Sequence, residues 1–267
     1  MLLIIFPYAN RDTNRSIISS NTNQTIIIGL RWYNLTVSEV YLASSALSPG
    51  FDGLETIKAA KDFGFDGAQL YLDIRYQETA YIIEALKNLS VARLGLIVHL
   101  PNVMTLEDLT AAISITGKHP GTKMLIHHLP AKTLPDIKGA VMGWENSVTG
   151  KHDPSHIEDT IKQSRLDGAF FAYDYGRSVY PVNKVGQKKL IDFVLKTIGS
   201  LRPDKDIIHI EDRTSWNRPY RDCACALGVG IWKELVDVLS QWPGVVVMEQ
   251  EDLQQAVDSM HRLRAFS

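Results

Sequence analysis

One pattern dominates the chain: short, largely apolar runs, most of them ending on a polar residue, that recur with helix-like stretches between them. The runs cover 40–47, 67–73, 94–100, 123–128, 139–145, 169–174, 206–211 and 245–249. Apolar residues at helical spacing fill 51–63, 76–89, 105–116, 156–164, 187–198, 231–240 and 251–263, while 131–138 holds little more than a turn. Asp52 and Gly64 read as the start and stop of the first helix, and Thr105 with Asp108 as a capping box on the third. Unbroken hydrophobicity, rather than alternation, is what a parallel strand buried on both faces requires. Eight strand–helix units predict a (β/α)8 TIM barrel of the α/β class. An open doubly wound sheet is the alternative, but no Gly-x-Gly-x-x-Gly turn follows any run.

The barrel domain is expected over 38–267, in a chain whose 267 residues suit a single barrel. Residues 1–37, rich in Asn, Thr, Ser and Ile, read as an N-terminal extension that is loosely packed or disordered. The opening apolar run is too short for a membrane span and lacks the basic flank of a signal peptide. The only cysteines, Cys223 and Cys225, are too close together to staple a secreted fold. A soluble cytoplasmic protein is the expectation. A net charge of −2 gives no basic surface for nucleic acid.

In a barrel, the C-terminal ends of the strands form the mouth in which chemistry takes place. Glu145, Asp174, His209 and Glu249 each close one of the last four runs, about one strand–helix unit of some 30 residues apart. Three carboxylates pointed into one mouth repel one another unless a cation sits among them. Oxygen-rich ligation with one imidazole suits one divalent ion: Mn²⁺, Mg²⁺ or Co²⁺, with Zn²⁺ also compatible. His127-His128 closes the fourth run, and one of the two must face away from the barrel, which leaves ligand, substrate and core roles open. Trp144 either walls a sugar site or faces the outer helices. Asp212, next to Arg213, reads as a brace rather than a ligand.

Several stretches together resemble the xylose isomerase-like TIM-barrel superfamily of sugar-phosphate isomerases, sugar epimerases, inosose dehydratases and apurinic endonucleases. They are Ala59 to Leu70, Val98-His99-Leu100-Pro101, Glu145-Asn146, Asp174-Tyr175-Gly176, His209 to Arg213, and the Gly228-Val229-Gly230 loop with the helix after it. The resemblance implies that Glu145, Asp174, His209 and Glu249 are the metal ligands. It also implies Glu145 and Glu249 as an acid–base pair, and His99 and Arg213 as substrate-binding residues. His127 and Trp144 join them as candidate substrate contacts from their places at the strand ends, not from the resemblance. Two departures stand out: Arg177 replaces a family histidine, which weakens a trinuclear zinc site, and Gln69 replaces a strand-two acid. The expected activity is metal-dependent isomerisation or epimerisation of a small carbohydrate or cyclitol through proton transfer next to a carbonyl. The alternatives are an inosose-type dehydratase, an apurinic endonuclease and a non-catalytic sugar-binding protein. The sequence leaves a homo-oligomer open.

Overall fold

The computed structural model describes residues 38–73, 77–101, 105–116, 121–127, 141–146, 154–176, 184–216 and 224–265. The expected extension over 1–37, the turn over 131–138, His128 and Arg177 lie outside them.

Eight parallel strands close on themselves: β1 (Glu39–Ala43), β2 (Gly67–Tyr71), β3 (Gly95–His99), β4 (Lys123–His127), β5 (Val141–Glu145), β6 (Phe170–Asp174), β7 (Ile207–Ile210) and β10 (Val245–Met248). Each pairs with its neighbours in chain order, and β10 seals against β1. The α/β TIM barrel read from the sequence is therefore the fold. A small antiparallel ribbon, β8 (Asp212–Arg213) with β9 (Ala224–Cys225), stands in the long connection after β7. The described helices are α1 (Gly53–Phe63), α2 (Thr79–Ala92), α3 (Leu106–Thr116), α4 (Pro154–Leu166), α5 (Lys184–Ser200), α6 (Val236–Ser240) and α7 (Leu253–Ala265). Among the described residues, no helix is long and apolar enough to cross a membrane.

The helix punctuation is chemical. Asp52 Oδ1 accepts the Glu55 N–H at 3.0 Å, and Gly64, at φ 78°, ends α1 in the left-handed region. Thr105 and Asp108 cap α3 reciprocally. Among the boundaries that differ from the sequence reading, two lie next to the barrel mouth. β1 stops at Ala43, and Ser44–Leu47 turns into a 3-10 helix. The helix expected over 231–240 starts as a 3-10 turn at Lys233, because the N–H groups of Gly228, Gly230 and Trp232 are drawn to the Asp212 carboxylate. A Cβ at Gly230 would collide with Arg213 O and Asp212 Oδ1, so the Gly-x-Gly loop is what lets this wrap close.

Side chains alternate in and out along each strand. Outward residues such as Val40, Leu42, Leu70 and Ile208 pack under the helices as the main core. Inward residues stack in layers. At the base, the rings of Tyr41 and Phe170 fill space left by Gly67, Gly95 and Gly143, where a Cβ would collide with them. Ala43, Ile97, Leu125, Ala172, Ile207 and Val247 form the apolar layer above. The next inward positions, at the mouth, are Tyr71, His99, His127, Glu145, Asp174, His209 and Glu249.

β7, which carries His209, is anchored at its start by a buried carboxylate. Asp206 accepts two bonds from Arg165, at 2.9 and 2.7 Å, three from Arg202, from its backbone N–H at 2.7 Å and its guanidinium at 2.9 and 3.3 Å, and the Phe171 N–H at 2.9 Å. Burial pushes this carboxyl up, but Arg165 and Arg202 outweigh it and hold it below its ordinary range. Its stabilising contribution is therefore complete above the unfolded carboxylate range and is lost as pH falls through the folded value. Asp206→Asn should lower the unfolding free energy by about 2–3 kcal/mol at neutral pH. The gap to wild type should shrink near pH 3 in urea denaturation. Equal stability at neutral pH would contradict the anchor.

Candidate metal centre

The mouth layer brings Glu145, Asp174, His209 and Glu249 together as the strand-end pattern predicts. One donor atom from each lies within 4.8 Å of the others. An ion with ligand distances of about 2.0–2.3 Å spans such a gap. Asp174 and His209 are register partners on β6 and β7, and Glu249 follows β10 directly. Asn146 locks β5 to β6 at this level: its Oδ1 accepts the Asp174 N–H and its Nδ2 donates to Asp174 O, each at 2.8 Å. The Glu145-Asn146 pair thus supplies a ligand and the clamp that sets the next one.

Three of these groups are almost wholly buried: Glu145 and His209 are 0% exposed and Asp174 is 1% exposed. His209 Nδ1 stands 3.2 Å from Glu249 Oε1 and 3.5 Å from Glu145 Oε1, yet neither ring nitrogen makes a well-formed hydrogen bond. Polar atoms buried without such bonds mark a place where something else binds. Burial alone would lower the His209 imidazole. The Glu249 and Glu145 carboxylates outweigh burial and raise it to about 10, so a proton stands in for a cation at neutral pH. The donor set of carboxylates and one imidazole fits a divalent ion.

A second group overlaps the first. His99, His127 and Glu145 also bring donor atoms within 4.8 Å of one another. Glu145 Oε2 lies 2.8 Å from His99 Nε2 and 3.0 Å from His127 Nε2, while its Oε1 faces His209. Each oxygen of one carboxylate therefore serves a different group, as in a bridging ligand. His99 Nδ1 lies 3.1 Å from Leu100 O, a carbonyl that can only accept, so Nδ1 carries a hydrogen. Nε2, 2.8 Å from a carboxylate oxygen, is then the nitrogen placed to share a cation with Glu145. A backbone carbonyl on the far nitrogen is also how ligand histidines are commonly oriented. The sequence reading placed His99 as a substrate contact and left His127 open between ligand, substrate and core roles. Their meeting on Glu145 depends on β3, β4 and β5 being neighbours in space.

Two expected site residues are placed elsewhere. Trp144 alternates with Glu145 and points outward, where it packs with Ile126 and Ala169 and donates Nε1–H to Asp167 Oδ2 at 2.7 Å. It cannot wall the mouth. Arg213 is buried, and its guanidinium donates to Gly176 O at 2.6 Å and Glu211 Oε1 at 3.0 Å, tying the loop after β6 to that after β7. The bracing expected of Asp212 is present, on the backbone N–H groups of Arg213, Gly228, Gly230 and Trp232. Burial raises the Asp212 carboxyl, against those N–H groups, which lower it. Gln69, singled out as a missing acid, donates Nε2–H to Glu249 Oε1 at 2.6 Å, a bond no carboxylate could offer without a proton.

No protein-family model matches the chain, and no curated protein matches it. Among solved structures, the barrel is similar to xylose isomerase-like TIM barrels. One from Mycobacterium smegmatis, in complex with magnesium, is 11% identical over 86% of this chain and 96% of its own, with a TM-score of 0.55. A Thermus thermophilus protein soaked with ZnCl2 is 17% identical over 86% of this chain and 98% of its own, at 0.56. A fusion of a xylose isomerase-like TIM barrel with a 4-hydroxyphenylpyruvate dioxygenase is 14% identical, at 0.56. This chain spans 42% of that fusion and has 85% of its own length covered. At these identities the shared property is the fold, a closed eight-stranded (β/α)8 barrel.

A metal-binding His209 must give up its proton, so loading should release protons. Isothermal titration of magnesium or manganese at pH 7, in two buffers of different ionisation enthalpy, should show about one proton released from the four-residue group. Release should vanish as pH rises past about 10, where the free imidazole has already lost its proton. Binding without proton release at pH 7 would contradict the charged, coupled His209.

Proposed function

We propose that the chain is a divalent-metal-dependent isomerase of a small polyhydroxy carbonyl compound, a carbohydrate or cyclitol, that moves a proton next to the carbonyl. The observation that carries this reading is the convergence of Glu145, Asp174, His209 and Glu249 with two glutamates of unequal freedom. When bound, a divalent cation supplies polarisation of a substrate oxygen and offsets the negative charge that develops there. The magnesium complex and the ZnCl2 soak of two barrels of the same fold are in keeping with such an ion.

Glu249 is the proton carrier in this reading. Its side chain is 12% exposed, toward the mouth, and Gln69 fixes the orientation of its carboxylate. Glu145 is fully buried, with His99 and His127 on one oxygen and His209 beside the other. It is placed to hold charge rather than to meet a substrate carbon. That asymmetry favours chemistry with a single base on one face, isomerisation or loss of water, over inversion at carbon, which needs two groups on opposite faces. The epimerase half of the sequence expectation is accordingly the weaker one.

A second reading, hydrolysis at a two-ion centre, is favoured by the His99–His127–Glu145 group, which shares Glu145 with the first. Product mass separates the readings. Isomerisation leaves the substrate mass unchanged, dehydration lowers it by one water, and hydrolysis adds one. Glu249→Gln should cut turnover by at least about 10²-fold. Its circular dichroism should stay unchanged and its substrate mass profile should match that of wild type. Wild-type turnover in Glu249→Gln would remove Glu249 as the proton carrier.

A further inference from the structure

We infer that the inner face of β2, Gln69 and Tyr71, is the wall that recognises the substrate, and that it recognises it as a ring. The inference rests on the carbohydrate reading above and narrows it to cyclic polyols.

β2 presents alternate residues to the barrel interior. Gly67 lies under the Tyr41 ring, Gln69 reaches Glu249, and Tyr71 is the next inward position, in register with His99 on β3. Gln69 is 3% exposed, and its amide orientation is fixed: Nε2 must face Glu249, since the flipped amide would set a carbonyl oxygen against a carboxylate. Its Oε1 is then buried with no hydrogen-bond partner among the described residues. An amide oxygen only accepts, so what completes it is an O–H or N–H brought in beside Glu249. One step toward the mouth, Tyr71 is 37% exposed although the rest of β2 is buried. Its ring lies 5.8 Å from that of His99, inclined at 44°, and 6.2 Å from that of Phe51, inclined at 53°. Phe51 is held at φ 49°, a left-handed conformation uncommon for a phenylalanine, on the loop that leads into α1.

A single strand therefore offers a buried acceptor next to the proton carrier and an aromatic surface just above it, backed by a second aromatic ring. The ligand that satisfies both has an apolar C–H face and hydroxyls on its rim: an inositol-type ring ketone, which keeps its carbonyl, or a pyranose that is recognised closed and opens to its carbonyl form before the proton moves. An open-chain sugar has the hydroxyls but no persistent face to lay on Tyr71.

Saturation-transfer difference NMR on the magnesium-loaded protein tests this without requiring turnover, with scyllo-inosose and D-fructose as cyclic probes and dihydroxyacetone as an acyclic one. Ring C–H protons of the cyclic probes should be enhanced in wild type. The enhancement should fall at least fivefold in Tyr71→Ala and persist in Tyr71→Phe, with magnesium affinity unchanged in both. Gln69→Met should weaken binding of the cyclic probes at least tenfold. Tyr71→Leu, which keeps bulk without an aromatic face, replaces the alanine variant if that one does not fold. Undiminished ring enhancement in a folded Tyr71→Ala or Tyr71→Leu would overturn the wall while leaving the carbohydrate reading standing. No enhancement of either cyclic probe in a magnesium-binding wild type would remove the carbohydrate reading and the wall with it.

Discussion

Three carboxylates around one imidazole, two of them buried with it and the third at the mouth, are the constraint on which the rest of this site depends. Glu145, Asp174 and Glu249 converge on His209, and Glu249 alone of the four keeps some exposure. Isolated ionised carboxylates cannot be held in such a place without compensation. In the absence of metal, the compensation is a proton on His209, raised to about 10 by its acidic neighbours. A divalent ion answers the same need with more charge and with chemistry attached. The geometry is costly to assemble, and much of the fold can be understood as what holds it.

That support is layered. Glycines at the barrel base make room for the rings of Tyr41 and Phe170 beneath an apolar middle layer, on which the polar layer stands. Asp206, gripped by two arginines, fixes where β7 starts and thereby where His209 ends up. Asn146 ties β5 to β6 through both polar atoms of its side chain. Asp212 gathers the N–H groups of Gly228, Gly230 and Trp232, and Arg213 joins the loops after β6 and β7. These residues touch no candidate ligand atom in the bonds named, yet they hold the strand ends that carry those atoms.

The fold was legible in the sequence because a parallel barrel has a plain signature, apolar runs at a steady repeat. The four-residue group was legible because each member closes such a run. What stayed hidden depended on neighbours across strands. That His99 and His127 share Glu145 follows from the order β3, β4, β5 around the barrel, and no local pattern announces it. Trp144 could be assigned only by parity: beside an inward Glu145 it must point outward. Arg213 sits in a charged cluster that looks like a site in sequence, but there it braces loops. Gln69 looked like a lost acid. In three dimensions it is a donor aimed at Glu249, and replacing a carboxylate by an amide leaves one charge fewer to neutralise.

The central claim is that this cluster is a metal centre. The most direct measurement is an anomalous difference map from crystals soaked in manganese. A strong peak is expected about 2.0–2.3 Å from oxygen atoms of Glu145, Asp174 and Glu249 and a nitrogen of His209. A well-ordered mouth with no peak at saturating manganese, or a peak only elsewhere on the protein, would contradict it.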